Sequence, residues 1–132
     1  MGRVLVCDIL NVTLFDSADS VLISGTQRQD VELVIRELLK FGARLIRKPE
    51  ALGSNWTASC QRAESTADVE VEPLGRLTLI RGRKFEAVQA EVNEYTERGY
   101  RLDREIEHLN GYYIAACVGT SMEPTWVQCS LW

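Results

Sequence analysis

The run Val21-Leu-Ile-Ser24 is a short apolar stretch of β type closed by Gly25. Beyond it, Val31, Val34, Ile35 and Leu38 fall at i, i+3, i+4 and i+7, the spacing of one helix face. The pattern predicts a helix from about Arg28 to Phe41. Gly42 is its expected stop, because glycine enters the left-handed C′ conformation without a Cβ penalty. Later in the chain Phe85, Val88, Val92 and Tyr95 repeat the stripe and Gly99 repeats the stop, with Glu91, Glu94 and Glu97 outside the stripe as a solvated face. After each stop a strand is expected (Ala43–Arg47, Tyr100–Glu105), then a turn at Gly53-Ser54 or Asn110-Gly111 and a return strand; Asn-Gly is a strong hairpin signal. An extra strand leads each unit, at about Asn11–Phe15 and Asp68–Glu72.

The two patterns coincide because the chain repeats itself at an offset of 57 residues. Residues 12–60 lie against 69–117 without a gap, and 14 of the 49 pairs are identical, where about three would follow from ordinary residue usage. Gly25/Gly82, Gly42/Gly99, Arg44/Arg101, Arg47/Arg104 and Cys60/Cys117 are among them. The repeat is read as a duplication. It divides the chain into a first β-α-β-β unit (1–61), a second (62–118) and a C-terminal tail (119–132). The expected architecture is α+β: two tandem units about a pseudo-two-fold axis, forming a largely antiparallel sheet with two helices on one face.

The return strands differ between the copies. Trp56, Ala58 and Cys60 alternate with Asn55, Thr57 and Ser59, so that strand can turn one face to water. Tyr112-Tyr-Ile-Ala-Ala-Cys-Val118 is apolar on both sides and requires a cover, from the other unit, the tail or another subunit.

The order strand–Gly–helix–Gly-Tyr–x–Leu, an Asn-Gly turn and a strand ending in small residues resembles the bacterial domain of unknown function 1737 and the related 4177 type. The second copy carries Gly82, Val92, Gly99, Tyr100, Leu102, Asn110, Gly111, Ala115 and Ala116 of that pattern. The first carries Gly25, Gly42, Leu45, Pro49, Leu52 and Ala58, with Gln61 just beyond. Ala43 replaces the aromatic, and Ile106 stands where Pro49 stands in the first copy. The resemblance, to a bacterial domain, implies a small α+β module and carries over no catalytic residue.

Composition narrows the function. The chain has 132 residues, is 45% apolar and 26% charged, and bears a net charge of -4. All of that charge falls after Gln61, and Glu64, Asp68, Glu70 and Glu72 open the second half; they read as a solvated edge strand rather than a cation site. An acidic chain disfavours nucleic acid. No apolar run approaches the ~20 residues of a membrane helix, and Met1–Leu14 lacks the pattern of a secretory signal, so a cytoplasmic protein with no membrane partner is expected. Cys7, Cys60, Cys117 and Cys129 are then reduced thiols, and with one histidine, His108, no metal site and no cofactor are expected.

The remaining candidates are binding residues. Arg44 and Arg101, with Trp56 and Tyr113, would contact an anionic small molecule held between the copies. Arg81-Gly-Arg-Lys84 is a basic turn at a helix N-terminus, where an anion is welcome. Tyr112, Ile114, Trp126, Leu131 and Trp132 form the expected interface, at the back of the second unit and in the tail. The leading expectation is a non-enzymatic interaction module that forms a homo-oligomer or binds a protein partner there. The alternative is a small-molecule or anionic-ligand binding protein, for example a phage or mobile-element inhibitor of a host system.

Overall fold

A computed structural model describes residues 4–9, 11–119 and the backbone of 127–131. In chain order the elements are β1 (Leu5–Ile9), β2 (Val12–Asp16), β3 (Ser20–Gly25), α1 (Arg28–Lys40), β4 (Arg44–Leu52) and β5 (Asn55–Gln61). They are followed by β6 (Glu70–Leu74), β7 (Leu77–Gly82), α2 (Phe85–Glu97), β8 (Arg101–Leu102), β9 (Glu107–Leu109), β10 (Tyr112–Val118) and β11 (Val127–Leu131). The protein is α+β, as the pattern predicts. β3, α1 and β5 begin and end 57 residues before β7, α2 and β10. Both predicted helix stops take positive φ, 89° at Gly42 and 97° at Gly99, and the hairpin turn places Asn110 at 50° and Gly111 at 83°.

The strands divide into two antiparallel sheets, where one was expected. The first has the order β11-β1-β2-β3-β5-β4; the second runs β6-β7-β10-β8, with β9 also paired to β10. β1 is an element that the repeat did not reveal, and β11 joins the first sheet beside it, with Leu131 opposite Leu5.

Packing is unequal between the units. Leu5, Leu14, Ile23, Ala58 and Cys60 of the first sheet share one core with Val31, Ile35 and Leu38 of α1, and with Leu77, Leu79, Ile114 and Ala116 of the second sheet. The opposite face of the second sheet, including Ile80, Ala115 and Cys117, packs on Val88 and Val92 of α2. The second sheet is thus covered on both faces, which answers why β10 is apolar on both sides. The two helices do not share a face of one sheet. Positions related by the repeat differ accordingly: Leu79 is fully buried, whereas Leu22 is 45% exposed. The back of unit two lies on the helix side of unit one, a heterologous contact rather than a two-fold one.

Candidate functional site

The most concentrated chemistry lies at the seam between the sheets. Asp16 ends β2, Glu72 lies in β6 and Arg62 follows β5; all three are buried. The Arg62 guanidinium donates through Nη2 to Asp16 Oδ2 at 2.9 Å and through Nε to Glu72 Oε2 at 3.0 Å, with Nη1 also on Asp16 Oδ1. Asp16 further accepts from the Ala18 amide at 2.9 Å. Beside it, buried Arg81 donates to the Ala18 carbonyl at 2.6 Å and to Glu70 at 2.7 Å. Arg81 and Arg83 lie over the Tyr112 ring at 4.4 and 4.0 Å, and the Tyr112 hydroxyl accepts from Arg83 and from the Ser65 amide. Asn110 closes the edge, donating to the Ser17 carbonyl at 2.9 Å.

Burial opposes charge on Arg62, but Asp16 and Glu72 outweigh it and raise its pKa. Burial dominates at Glu72 and pushes its carboxyl above the ordinary value of 4.5 despite Arg62. Burial also pushes Glu70 upward; hydrogen bonds from Arg81 and Ser65, with the Arg81 charge, overcome it and hold the carboxyl below 4.5. A cleft of about 290 Å³ opens over this seam, lined by residues including Asp19, Gln61, Glu64 and Arg83. Its inner cations are committed to inner carboxylates and carbonyls. The arrangement is a clamp that joins β2, β6 and β7 across the two sheets.

This placement corrects two expectations. Glu72 is not part of a solvated edge: β6 is an edge strand, but Glu72 faces the seam. The basic turn is likewise engaged, since Arg81 is buried and Lys84 approaches Asp68 at 3.7 Å. Among the described residues no group of three or more His, Cys, Asp or Glu side chains is arranged to hold a metal ion.

The four expected ligand residues are not brought together. Arg44 is exposed on β4, where it reaches the Gln61 amide oxygen at 3.4 Å. Trp56 packs on the common core under Arg28, at 5.4 Å. Arg101 pairs with Asp103 at 2.6 Å on the second sheet. Tyr113 lies on the α2 side of that sheet, between Phe85 (5.6 Å) and His108 (4.5 Å). Strand alternation turns Tyr113 away from the first sheet, so no groove between the copies holds all four.

Of the expected interface, Tyr112 and Ile114 are buried between the two sheets. The cover that β10 requires is the first unit itself. Leu131 lies in β11, paired to β1 within the chain. Trp126 and Trp132 lie outside the described residues.

Cys60 and Cys117 do not approach each other, because they belong to separate cores on opposite faces of the second sheet. Both are fully buried free thiols. Burial raises the Cys117 pKa from 9.0 to about 11 and also raises Cys60, where Arg62 partly opposes it. Since the thiolate is the nucleophile, about a hundredfold less of it forms at Cys117 at a given pH. Iodoacetamide at pH 8 is expected to leave both residues unlabelled in the folded protein and to label them in urea; labelling faster than global unfolding would contradict this. The Cys117 shift also predicts stability that falls as pH rises between 9 and about 11, where the folded state still holds a proton that the unfolded state has lost.

A surface that the sequence reading did not single out is formed by the end of α1 and by β4. Of the eight large apolar residues exposed among the described residues, five are Leu39, Phe41, Leu45, Ile46 and Leu52. Among the described residues β4 is an edge strand, hydrogen-bonded to β5 alone, with register shifts at Leu45/Arg47 and Arg47/Glu50. Leu33, 53% exposed on the same helix, stands at the mouth of a further apolar groove of about 290 Å³ that Val12, Val34 and Leu74 line. Ile46 and Leu45 escaped notice because a predicted strand carries no sign of being at an edge.

Comparison of the chain with protein-family models, curated proteins and solved structures finds no match.

Proposed function

We propose that this protein is a non-enzymatic interaction module that docks another protein on the α1–β4 surface of its first unit. The observation that carries the reading is the exposure of Leu39, Phe41, Leu45 and Ile46 where α1 ends and edge strand β4 begins, with Leu52 exposed at the other end of that strand. Exposed apolar side chains beyond scattered single residues mark interaction sites, and an open strand edge supplies backbone donors and acceptors to a partner. The seam between the sheets supports the same reading from the other side: its charged groups hold the sheets together, and Tyr112 and Ile114 are spent inside. The 57-residue coincidence of element boundaries supports the duplication, and with it the resemblance to the domain of unknown function 1737.

The test is site-specific photo-crosslinking in the native host. Benzoylphenylalanine replaces Ile46 in one variant and Glu94, exposed on α2, in another. A discrete protein adduct at position 46, absent at position 94 and lost when Leu52→Asp is added, is the expected result. An adduct at twice 14.9 kDa would identify a second copy as the partner. Equal adducts at both positions, or none at 46, would defeat the reading.

A further inference from the structure

Resting on that reading, we propose that the α1–β4 surface takes an acidic, extended segment of a partner protein, laid along the open edge of β4. The first support is charge. Residues 36–52 carry Arg36, Lys40, Arg44, Arg47 and Lys48 against Glu37 and Glu50, a local +3 in a chain of net -4. All five basic side chains belong to exposed residues.

The second support is that most of these cations have no carboxylate partner. Elsewhere Arg28, Arg62, Arg81, Arg83, Arg101 and Arg104 each have a carboxylate within 4.0 Å. On the α1–β4 surface only Lys40 does, at 3.0 Å from Glu37. Arg44 reaches an amide oxygen, and among the described residues Arg36, Arg47 and Lys48 have no carboxylate partner. Glu37 is taken by Lys40 and Glu50 is the one carboxylate on β4, so carboxylates supplied by a partner would meet cations that the strip leaves over.

The third support is the edge itself. Leu45 lies in register with Cys60 and Arg47 with Ser59, and a register shift between them sets Ile46 apart, so the start of β4 reads basic, apolar, apolar, basic, basic. An added strand that brings carboxylates to Arg44, Arg47 and Lys48 complements that order. A second copy paired through β4 supplies less, because on this strip it brings the same five cations with only Glu37 and Glu50 to meet them. A lipid surface is also a poor fit, since hydrocarbon would leave the open backbone groups unsatisfied.

The probe is a fluorescein-labelled decapeptide of alternating glutamate and valine, titrated with the full chain by fluorescence anisotropy. Binding is expected to weaken by about tenfold between about 50 and about 200 mM salt, as screening of exposed charges requires. Arg47→Glu/Lys48→Glu is expected to abolish it without moving the melting temperature, because both side chains are exposed. Amide hydrogen exchange in β4 should slow in the complex. Equal binding of a lysine–valine peptide, unchanged affinity in the double variant, or no binding of the acidic peptide would overturn the proposal. Binding of phosphatidylserine vesicles or oligothymidylate in place of the peptide would overturn it in favour of a membrane or a nucleic acid. If the adduct at position 46 persists in Arg47→Glu/Lys48→Glu, protein docking stands and the acidic partner falls; if that adduct never forms, both fall.

Discussion

Arg62→Met is expected to lower folding stability by about 3–5 kcal/mol, the cost of removing one partner from a buried ion network. The cation pairs with both Asp16 and Glu72 across the seam. Without it two buried carboxylates remain, one on each sheet, with no charge between them. A methionine of similar length fills the space, so the loss reports electrostatics more than packing. Urea unfolding measures it, and a loss below about 1 kcal/mol, the range of exposed pairs, would show that the network is not a clamp. Replacing Asp16, Arg62 and Glu72 together by apolar residues should cost less than Arg62→Met alone, because no charge is then stranded.

The same variant carries a signature in pH. In the native protein burial raises Glu72 above 4.5, so the folded state binds the extra proton, and this group's contribution improves as pH falls through its folded pKa toward 4.5. Arg62 opposes that rise. Its removal lifts the Glu72 pKa further, and the deficit of Arg62→Met should shrink as pH is lowered from neutrality toward 4.5. Glu70 works in the opposite sense: its lowered pKa gives stability present above 4.5 and lost as pH falls through the folded value. A deficit that grows with acidity would contradict the assignment of Glu72 as the strained partner.

Gly82→Ala is the second large effect, expected at about 3 kcal/mol, the upper end of overpacking penalties. A Cβ on Gly82 would stand 2.0 Å from the Asp68 carbonyl oxygen and 2.9 Å from the Val69 Cα. Both are backbone atoms, so the leading strand of unit two must move away as a whole. At the equivalent Gly25 the nearest atoms are the Asn11 carbonyl oxygen at 3.0 Å and a Val31 methyl at 3.1 Å. Gly25→Ala is therefore expected to cost less, near 1 kcal/mol. Thermal unfolding of the two variants side by side checks the order; equal losses would sink the argument.

That pair of glycines also shows what was legible in the chain. Periodicity placed both helices, and the repeat placed the hairpins, because these depend on local spacing. The identity of Gly25 and Gly82 pointed to a shared constraint, and the structure supplies it as close backbone approach. Layering was legible only in part: Tyr112–Val118 called for a cover, but nothing local told whether the cover was the first unit or another chain. The seam was hidden for a related reason. Glu72 sits among alternating acids that resemble a solvated strand, and its partner Arg62 belongs to a linker that the repeat does not align. A buried carboxylate and an exposed one have the same letter. Arg44 and Arg101 misled in the opposite direction, since matching positions in two copies need not meet when the copies pack head to tail.

The pairing of β11 with β1 has a consequence during synthesis. β1 spans residues 5–9, while the strand that completes its outer edge spans residues 127–131 and leaves the ribosome later. At about 5–20 residues per second, the outer edge of β1 stays open for about 6–24 s of translation. Throughout that interval each nascent chain on a crowded message presents an unpaired row of backbone donors and acceptors to its neighbours. β11 retires the edge that β1 leaves open until then.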